Sequence, residues 1–408
     1  MAGPTTAQQH PNARSATDFL NEAQLAQVRA GKSSSDLASS LQGAIDALSN
    51  QGGGTLFLPA GTYRIDSALR MARYVDLVGS GAATILYAHG TSAIRFDFLS
   101  SFDNSRISNL HIIGTMATAF PAILQEGTLD DKAELGGVTI DNVLVENFGT
   151  GVRFRTVRNV LISNCHFQDV RSGIELIGKC LGVDLEAVKI VRGKGAPEGI
   201  GVLCNGFDYV RGAGNIRPEC VRMRSLFVYG FPTAIALMGV VYALVDETVI
   251  QATEVGLRWS SVSGVLNVRG GYIEVAGAKA QIGALGDDQS KRLETKINIE
   301  GVSFIGVGNA PGTSIGVRLA SERGAGQQDD VTISRCNFTG FTRADIAVYN
   351  SGDCNIEDNR CRSEAVASSI VIRGVPKGRP VFVDRNRCRR PIAHDPQDVE
   401  QGRLRLSE

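Results

Sequence analysis

The stretch LQGAIDALSNQGGGTLFLPAGTYRIDSALRMARYVDLVGSG, residues 41–81, decides the fold. It begins with an amphipathic helical segment that ends at a run of glycines. An alternating strand follows and leads into Pro59-Ala60-Gly61-Thr62-Tyr63, and a second apolar strand ends at Gly79-Ser80-Gly81. Helix, glycine break and two strands in 41 residues indicate the cap and first turn of a stacked-strand cylinder.

Upstream of this stretch, the sequence predicts two helices. Residues 18–31 favour a short helix with Leu20, Leu25 and Val28 on its apolar side. Residues 36–49 predict a second helix, with Ser33 to Ser35 offering its N-cap; its apolar face comprises Leu37, Leu41, Ala44, Ile45 and Leu48. This helix can plug the open end of the cylinder, which would otherwise invite another chain to pair.

Downstream, a six-residue pattern returns, with an apolar residue at each end and usually Asn, Gly or a charge at its third position. Its copies are ISNLHI (107–112), IDNVLV (140–145), ISNCHF (162–167), LEAVKI (185–190), MRSLFV (223–228), VDETVI (245–250), VRGGYI (268–273), IEGVSF (299–304), ISRCNF (333–338), IEDNRC (356–361) and VDRNRC (383–388). The residue after the first apolar one alternates in charge from Glu186 to Glu300, which predicts an outward ladder of charges.

A second pattern interleaves with the first and consists of two small residues followed by an apolar alternation. Its copies are SAIRF (92–96), TGVRF (150–154), SGIEL (172–176), TAIAL (233–237), VGLRW (255–259), IGVRL (315–319), ADIAV (344–348) and SSIVI (368–372). Several spacings near 22 residues predict three short strands and three corners per turn, with Asn109, Asn142, Asn164, Gly270 and Gly301 in a left-handed conformation.

These patterns predict an all-β fold, a right-handed parallel β-helix of about 11–13 coils with three short strands per coil. An N-terminal amphipathic helix caps it. We expect a flexible arm at residues 1–17, lead-in and capping helices at 18–50, the β-helix at 51–392 and a charged tail at 393–408.

Composition excludes several function classes. Lys plus Arg equals Asp plus Glu at 42 each, so no nucleic-acid or anionic-membrane partner is predicted. Neither a signal peptide nor a run of 18 apolar residues is visible. The eight cysteines have no zinc spacing. We expect them to be reduced, with Cys361 and Cys388 stacked in adjacent coils, and we expect neither a metal nor a cofactor.

Candidate chemistry lies where the coils are interrupted. The insertion at 204–220 combines Asp208, Tyr209 and Arg211, and aromatic rings beside charged groups suit sugar recognition. The outward row of the second pattern contains Arg153, Glu175 and Arg258. A pair of carboxylates one or two coils apart suits glycoside hydrolysis.

We therefore predict Glu175 and Asp208 as the catalytic pair, with Arg153, Arg258, Tyr209 and Arg211 binding substrate. Glu198 is an alternative partner for Glu175. The competing interpretation is that Glu175 only forms an ion pair with Arg153.

The opening stretch resembles the pectate-lyase-like right-handed parallel β-helix superfamily. The resemblance lies in Ala44-Ile45-Asp46-Ala47, Gly53-Gly54-Thr55, Pro59 to Tyr63 and Gly79-Ser80-Gly81. The lead-in DFLNEAQLAQVRAG (18–31) resembles that of bacteriophage tailspikes and tail-fibre depolymerases. No catalytic motif of the superfamily can be carried over by position.

This resemblance implies a tailspike-like virion protein, made in the host cytoplasm, that binds and in one interpretation depolymerises a bacterial surface polysaccharide (capsule, exopolysaccharide or O-antigen). It also implies other tail proteins as partners of the N-terminal arm and a homotrimer, for which Leu124, Leu203 and Val371 are seam candidates. Two alternatives stay open: a non-catalytic structural or adhesive component of a virion, and a bacterial polysaccharide lyase or epimerase.

Overall fold

A computed structural model describes residues 12–31, 34–96, 104–115, 120–125, 135–194, 198–206, 217–260, 263–277, 281–286, 295–308, 310–320, 330–351, 353–400 and 403–407. The chain divides into two compact units, with unit 1 ending at His166 and unit 2 beginning at Phe167. In both units the strands pair in parallel and fall into three rows, so that each coil contributes one strand to each row.

Unit 1 begins with two α-helices, α1 (Glu22–Arg29) and α2 (Ala38–Asn50). Helix α1 starts later than predicted because Asn21 caps it: the Asn21 Oδ1 accepts from the Gln24 N–H, and the Gln24 Oε1 accepts from the Asn21 N–H, both at 2.9 Å. The predicted serine cap of α2 is wrong among the described residues, since the Asp36 Oδ1 accepts from the Ala38 N–H at 3.0 Å.

The predicted apolar face of α2 is confirmed, with Leu41, Ala44, Ile45 and Leu48 all 0 % exposed. Its polar side bonds to the edge of the first coil. The Gln42 Oε1 accepts from the Arg70 N–H at 2.8 Å, and its Nε2 donates to the Arg70 carbonyl at 3.0 Å. The helix therefore satisfies backbone groups that an open strand edge would leave unpaired.

The strands of unit 1 carry the following labels. Row 1 contains β1 (Ala13–Ser15), β2 (Gly54–Leu58), β5 (Val75–Gly79), β8 (Arg106–Ile113), β10 (Leu135–Gly136), β11 (Thr139–Glu146) and β13 (Val157–Ser163). Row 2 contains β3 (Gly61–Ile65), β6 (Thr84–Ala88) and the second halves of β8 and β11. Row 3 contains β4 (Leu69–Met71), β7 (Ile94–Phe96), β9 (Pro121–Gln125) and β12 (Thr150–Phe154).

Unit 2 repeats the arrangement. Row 1 contains β16 (Cys180–Glu186), β19 (Glu219–Arg224), β21 (Val241–Asp246), β23 (Ser263–Arg269), β26 (Thr295–Glu300), β29 (Val331–Ser334), β32 (Cys354–Glu357), β35 (Val381–Asp384) and β38 (Leu404–Leu406). Row 2 contains β14 (His166–Val170), β17 (Lys189–Arg192), the first halves of β20 (Phe227–Met238) and β22 (Val249–Ser260), β24 (Tyr272–Ala276), β27 (Ser303–Val307), β30 (Asn337–Thr339), β33 (Arg360–Cys361) and β36 (Arg387–Cys388). Row 3 contains β15 (Ser172–Ile177), β18 (Ile200–Asn205), the second halves of β20 and β22, β25 (Ile282–Gly286), β28 (Ile315–Ala320), β31 (Ala344–Tyr349), β34 (Ile370–Arg373) and β37 (Ile392–His394).

Two predicted boundaries are wrong. Residues 13–15 form β1, which pairs with β2, and residues 16–19 form a 3₁₀ helix capped by Ser15, so this part of the predicted arm is ordered. The predicted tail contains the helix α3 (Pro396–Glu400), and β38 pairs with β35. Parallel pairing of coils therefore continues to Leu406.

The corner between rows 1 and 2 confirms the predicted left-handed residues. Asn109, Asn142 and Asn164 have φ of 55°, 52° and 52°, and Gly270 and Gly301 have 58° and 67°. The first pattern thus marks a strand, a left-handed corner residue and a second strand. The same conformation also occurs where neither Asn nor Gly is present, at Ala187, Ser225, Glu247, Arg335, Asp358 and Arg385.

Close packing between coils explains why the second pattern contains small residues. At the start of row 3 in unit 2, successive coils place Gly256, Gly283 and Gly316 under one another. A Cβ on Gly283 would lie 2.6 Å from the Gly316 carbonyl oxygen and 2.8 Å from a Phe304 ring carbon. This small-residue column is therefore required by close approach of the coils.

Outward positions stack in register as well. Glu186, Arg224, Asp246, Arg269 and Glu300 are consecutive partners along row 1 of unit 2, which confirms the predicted charge column. The interior between the rows is aliphatic and aromatic. Cys361 and Cys388 are register partners in adjacent coils, as predicted. The eight cysteines are free thiols.

Candidate functional site

Glu175 lies on β15 at an outward position of row 3 in unit 2. Although outward, it is only 7 % exposed. Its register partner on the next strand is Leu203. The Glu175 carboxylate is thus largely shielded from bulk water.

Arg258 occupies the same outward column as Glu175. The column runs by register from Glu175 to Leu203, Ala236, Arg258, Leu285 and Arg318. Three strand spacings separate Glu175 from Arg258, roughly 14 Å. The structure thus places two predicted site residues on one line, with small and apolar side chains between them.

A groove of about 310 Å³ lies along this column over β18, β20 and β22, with Arg258 in its lining. Its lining comprises Ile200, Leu203, Asn205, Thr233, Ala236, Met238 and Arg258. Aliphatic and thioether side chains provide apolar surface, whereas the Asn205 amide and the Arg258 guanidinium supply hydrogen-bond donors. A mostly apolar surface with a few polar groups suits the faces and hydroxyl edges of a sugar. This set of residues is called the row-3 groove below.

Sequence reasoning missed Asn205, Thr233 and Met238 as groove residues. Asn205 and Met238 lie two residues after the outward positions Leu203 and Ala236, and Thr233 lies three residues before Ala236. Asn205 is aligned with Met238, and Ile200 with Thr233. Extending the outward column in both directions along each strand would have identified them.

The other predicted site residues are distributed differently. Arg153 lies on β12 of unit 1, in register with Leu124, which itself pairs with Arg95. The predicted residues Asp208, Tyr209 and Arg211 lie outside the described residues. Glu198, the alternative acid, is exposed and precedes the groove strand β18 by two residues.

Unit 1 contains a larger hollow of about 740 Å³ between α2 and β4. Charged groups of both signs line it, among them Asp36, Asp46, Arg70 and Arg95. Gln42 crosses it to bond the backbone of Arg70. We interpret it as the crevice between the capping helix and the first coils, because its polar groups serve that junction.

Within the described part of the chain, no group of three or more His, Cys, Asp or Glu side chains is arranged to hold a metal ion. The helices in those same ranges include none with the length and apolarity that crossing a membrane requires.

Part of the chain is similar to a known protein family. The family model for rhamnogalacturonase A/epimerase, pectate lyase-like, matches residues 30–186. Residues 30–186 are thus similar to the pectate-lyase-like family. The matched residues include α2 and the opening coils, and the match confirms the resemblance found in residues 41–81.

A curated relative and two solved structures extend the comparison. The tail spike protein of Shigella phage Sf6 is 25 % identical over 246 residues, 57 % of this chain and 38 % of that protein, so the matched part spans well under half of the relative. The tailspike of E. coli bacteriophage HK620, solved with a pentasaccharide, superposes with a TM-score of 0.64 at 13 % identity over 97 % of this chain and 80 % of the other. The A-module of the Azotobacter vinelandii mannuronan C-5 epimerase AlgE4 gives 0.53 at 18 % identity over 97 % and 100 %. These structural matches confirm a right-handed parallel β-helix.

Proposed function

We propose that this protein is a tailspike-like protein that binds a bacterial surface polysaccharide in the row-3 groove. The proposal is carried by the groove itself. Apolar side chains of its lining lie along the outward column between Glu175 and Arg258. The similarity to a phage tail spike and to the HK620 tailspike, which was solved with a pentasaccharide, supports the polysaccharide as ligand class.

Binding is tested by electrophoresis through gels that contain purified Shigella or E. coli lipopolysaccharide or mannuronan. Retardation of the wild-type protein by at least one of them is expected, and Arg258→Ala should weaken it about tenfold because a hydrogen-bonded charge is lost. Arg318→Ala is the matched control, since Arg318 lies in the same column two strands beyond Arg258 and does not line the groove. Equal losses in both variants would argue against the groove.

A second candidate function is cleavage of the bound polysaccharide, favoured by the burial of Glu175 beside the groove. In this proposal Glu175 is the general acid and Asp208 the nucleophile or base, while Arg153, Tyr209 and Arg211 hold the sugar. A carboxylic acid protonates the leaving oxygen and a second carboxylate attacks or activates water.

Cleavage is measured by new reducing ends, and lyase chemistry by the ultraviolet absorbance of an unsaturated uronate. Glu175→Gln should abolish product while retaining binding, because the amide keeps the size of the side chain but carries no transferable proton. Binding without any product would favour the adhesive alternative. Epimerised sugar without chain cleavage would favour the epimerase alternative.

The proposal extends to assembly. We infer a homotrimer in a virion, attached to other tail proteins through residues 1–17. Of the residues proposed for the trimer interface, Leu203 also lines the row-3 groove. Leu203 cannot be buried in the trimer interface and contact a glycan at the same time. Light scattering of the purified protein gives the oligomeric state, and a monomer at all concentrations would reject the seam.

A further inference from the structure

A second surface of unit 2, on row 2, carries aromatic side chains that face outward. Phe227 and Tyr229 alternate on β20, and alternate residues of a strand point to the same side. Their ring centroids lie 6.3 Å apart and their planes differ by only 7°. Tyr229 is 46 % exposed. The two rings therefore lie parallel to one another, and the Tyr229 ring is open to solvent; together they are called the aromatic platform.

A polar trio adjoins the platform. Gln251 on β22 is the register partner of Tyr229 and, on the other side, of Glu274 on β24. The Gln251 Nε2 donates to the Glu274 Oε1 at 2.9 Å and to the Tyr272 hydroxyl at 3.4 Å. The Tyr272 hydroxyl donates to the other Glu274 oxygen. Donors and acceptors are thus held in fixed positions at the edge of the rings.

The Tyr272 hydroxyl is a stable hydrogen-bond donor in this trio. Burial and the hydrogen bond to Glu274 raise the pKa of Tyr272, so the phenol keeps its proton. On the opposite side of the platform, Lys189 pairs with Phe227 in register, and its Nζ lies 5.6 Å from the Phe227 ring centroid. A cation and an acid–amide trio thus flank the rings on both sides.

Sugar rings have the matching chemistry. The C–H face of a pyranose stacks on an aromatic plane, and its hydroxyls both donate to carboxylate and donate to or accept from amide groups at the ring edge. A second copy of this chain fits less well, because the centres of protein interfaces are depleted of Lys and Glu, which here directly adjoin the rings.

We infer that the row-2 platform, defined as Phe227, Tyr229, Gln251, Tyr272 and Glu274, is a carbohydrate-binding surface for pyranose units of a polysaccharide. It lies on a different row from the row-3 groove and does not depend on it.

Hydroxyl-radical footprinting of the full chain reads both sites in one sample. The probes are mannuronan and purified Shigella and E. coli lipopolysaccharide. The platform predicts protection of Phe227 and Tyr229 by at least one probe, whereas occupation of the row-3 groove protects Met238. Protection of Met238 alone, or of neither site by any probe, overturns the inference. Protection of Tyr229 that rises with protein concentration in the absence of glycan identifies a contact between copies and also overturns it.

A pair of tyrosine variants completes the test. Tyr229→Ala should lower affinity for the protecting probe at least about fivefold, because a stacking ring is lost. Tyr242→Ala is the control: this tyrosine is 50 % exposed but belongs to row 1. Unchanged affinity in Tyr229→Ala, or an equal loss in the control, contradicts the platform. Glu274→Gln should also weaken binding while the protein keeps its melting temperature.

Discussion

Cys361 and Cys388 are register partners on the neighbouring strands β33 and β36, and their thiols interact with one another. Cys361 is 0 % exposed, whereas Cys388 is half-buried. The contact raises the pKa of Cys361 and lowers that of Cys388, so the outer thiol is the one that ionises first. Oxidation of this pair is therefore expected to begin with attack by the Cys388 thiolate.

Oxidised glutathione should convert this pair to a disulfide. The two thiols lose two protons and two electrons, and each glutathione disulfide is reduced to two glutathione thiols. We expect two of the eight thiols to disappear in a thiol titration, the mass to fall by two hydrogens, and the free energy of unfolding to rise by about 2–4 kcal/mol because the unfolded chain is constrained. Cys388→Ser should show none of these changes. Loss of thiols through glutathione adducts at Cys388 would contradict the prediction.

Asp345 gives the protein a pH-dependent stability. It stands in the small-residue column and is 0 % exposed, and burial raises its pKa to about 6 from 3.8, with the Ser363 and Ser369 hydroxyls opposing that rise. Since the folded pKa is above the unfolded one, the stabilising contribution is complete below about pH 4 and is lost as pH rises through about 6.

Asp345→Asn should therefore stabilise the protein at pH 8, by an amount on the order of 2 kcal/mol, and leave it unchanged at pH 4. Urea unfolding at the two pH values measures the difference. Asp246→Asn removes one outward carboxylate of the same unit and serves as control. An equal gain at both pH values would exclude ionisation of Asp345 as the cause.

Gly283 should not tolerate a methyl group. Its Cβ would lie 2.6 Å from the Gly316 carbonyl oxygen, so Gly283→Ala forces two coils apart and should lower the free energy of unfolding by about 1–3 kcal/mol. Gly43→Ala is the control because Gly43 lies inside α2 with no atom within 4 Å of the added carbon. That change should stabilise by roughly 0.5–1 kcal/mol. Thermal melts compare the two, and destabilisation of similar size in both would reject the close-approach explanation.

Ser225 occupies the left-handed corner between rows 1 and 2, with φ of 52°. Non-glycine residues are disfavoured there by about 1–2 kcal/mol, so Ser225→Gly should stabilise the protein by up to about 1 kcal/mol after the larger entropy loss of glycine. Ser303 on β27 has an ordinary strand conformation, and Ser303→Gly should destabilise instead. Chemical unfolding of both variants tests the sign, and a loss in Ser225→Gly would contradict the argument.

The coil repeat could be predicted from sequence because it is carried by local rules. Asn109 and Asn142 signal a left-handed corner by residue type, and inward residues alternate with period two. Ser225 and Glu247 adopt the same corner without that signature, since pairing of the surrounding strands imposes the conformation.

The candidate site was predicted less completely. Glu175 and Arg258 could be placed on one column from their positions in the second pattern. Burial of Glu175 and the presence of Met238 in the groove depend on neighbouring coils, which the pattern does not describe. The row-2 platform was missed because Phe227 and Gln251 are far apart in sequence and become neighbours only through register.

Trp259 sits one residue after Arg258, as the partner of Leu237 and Gly286, and is 0 % exposed. It is the only tryptophan of the chain. Intrinsic fluorescence excited at the indole therefore comes from a single buried point directly behind the row-3 groove. The emission maximum should shift to longer wavelength when unit 2 unfolds and should not change when only unit 1 unfolds. Tryptophan fluorescence therefore reports on the folding of unit 2 alone.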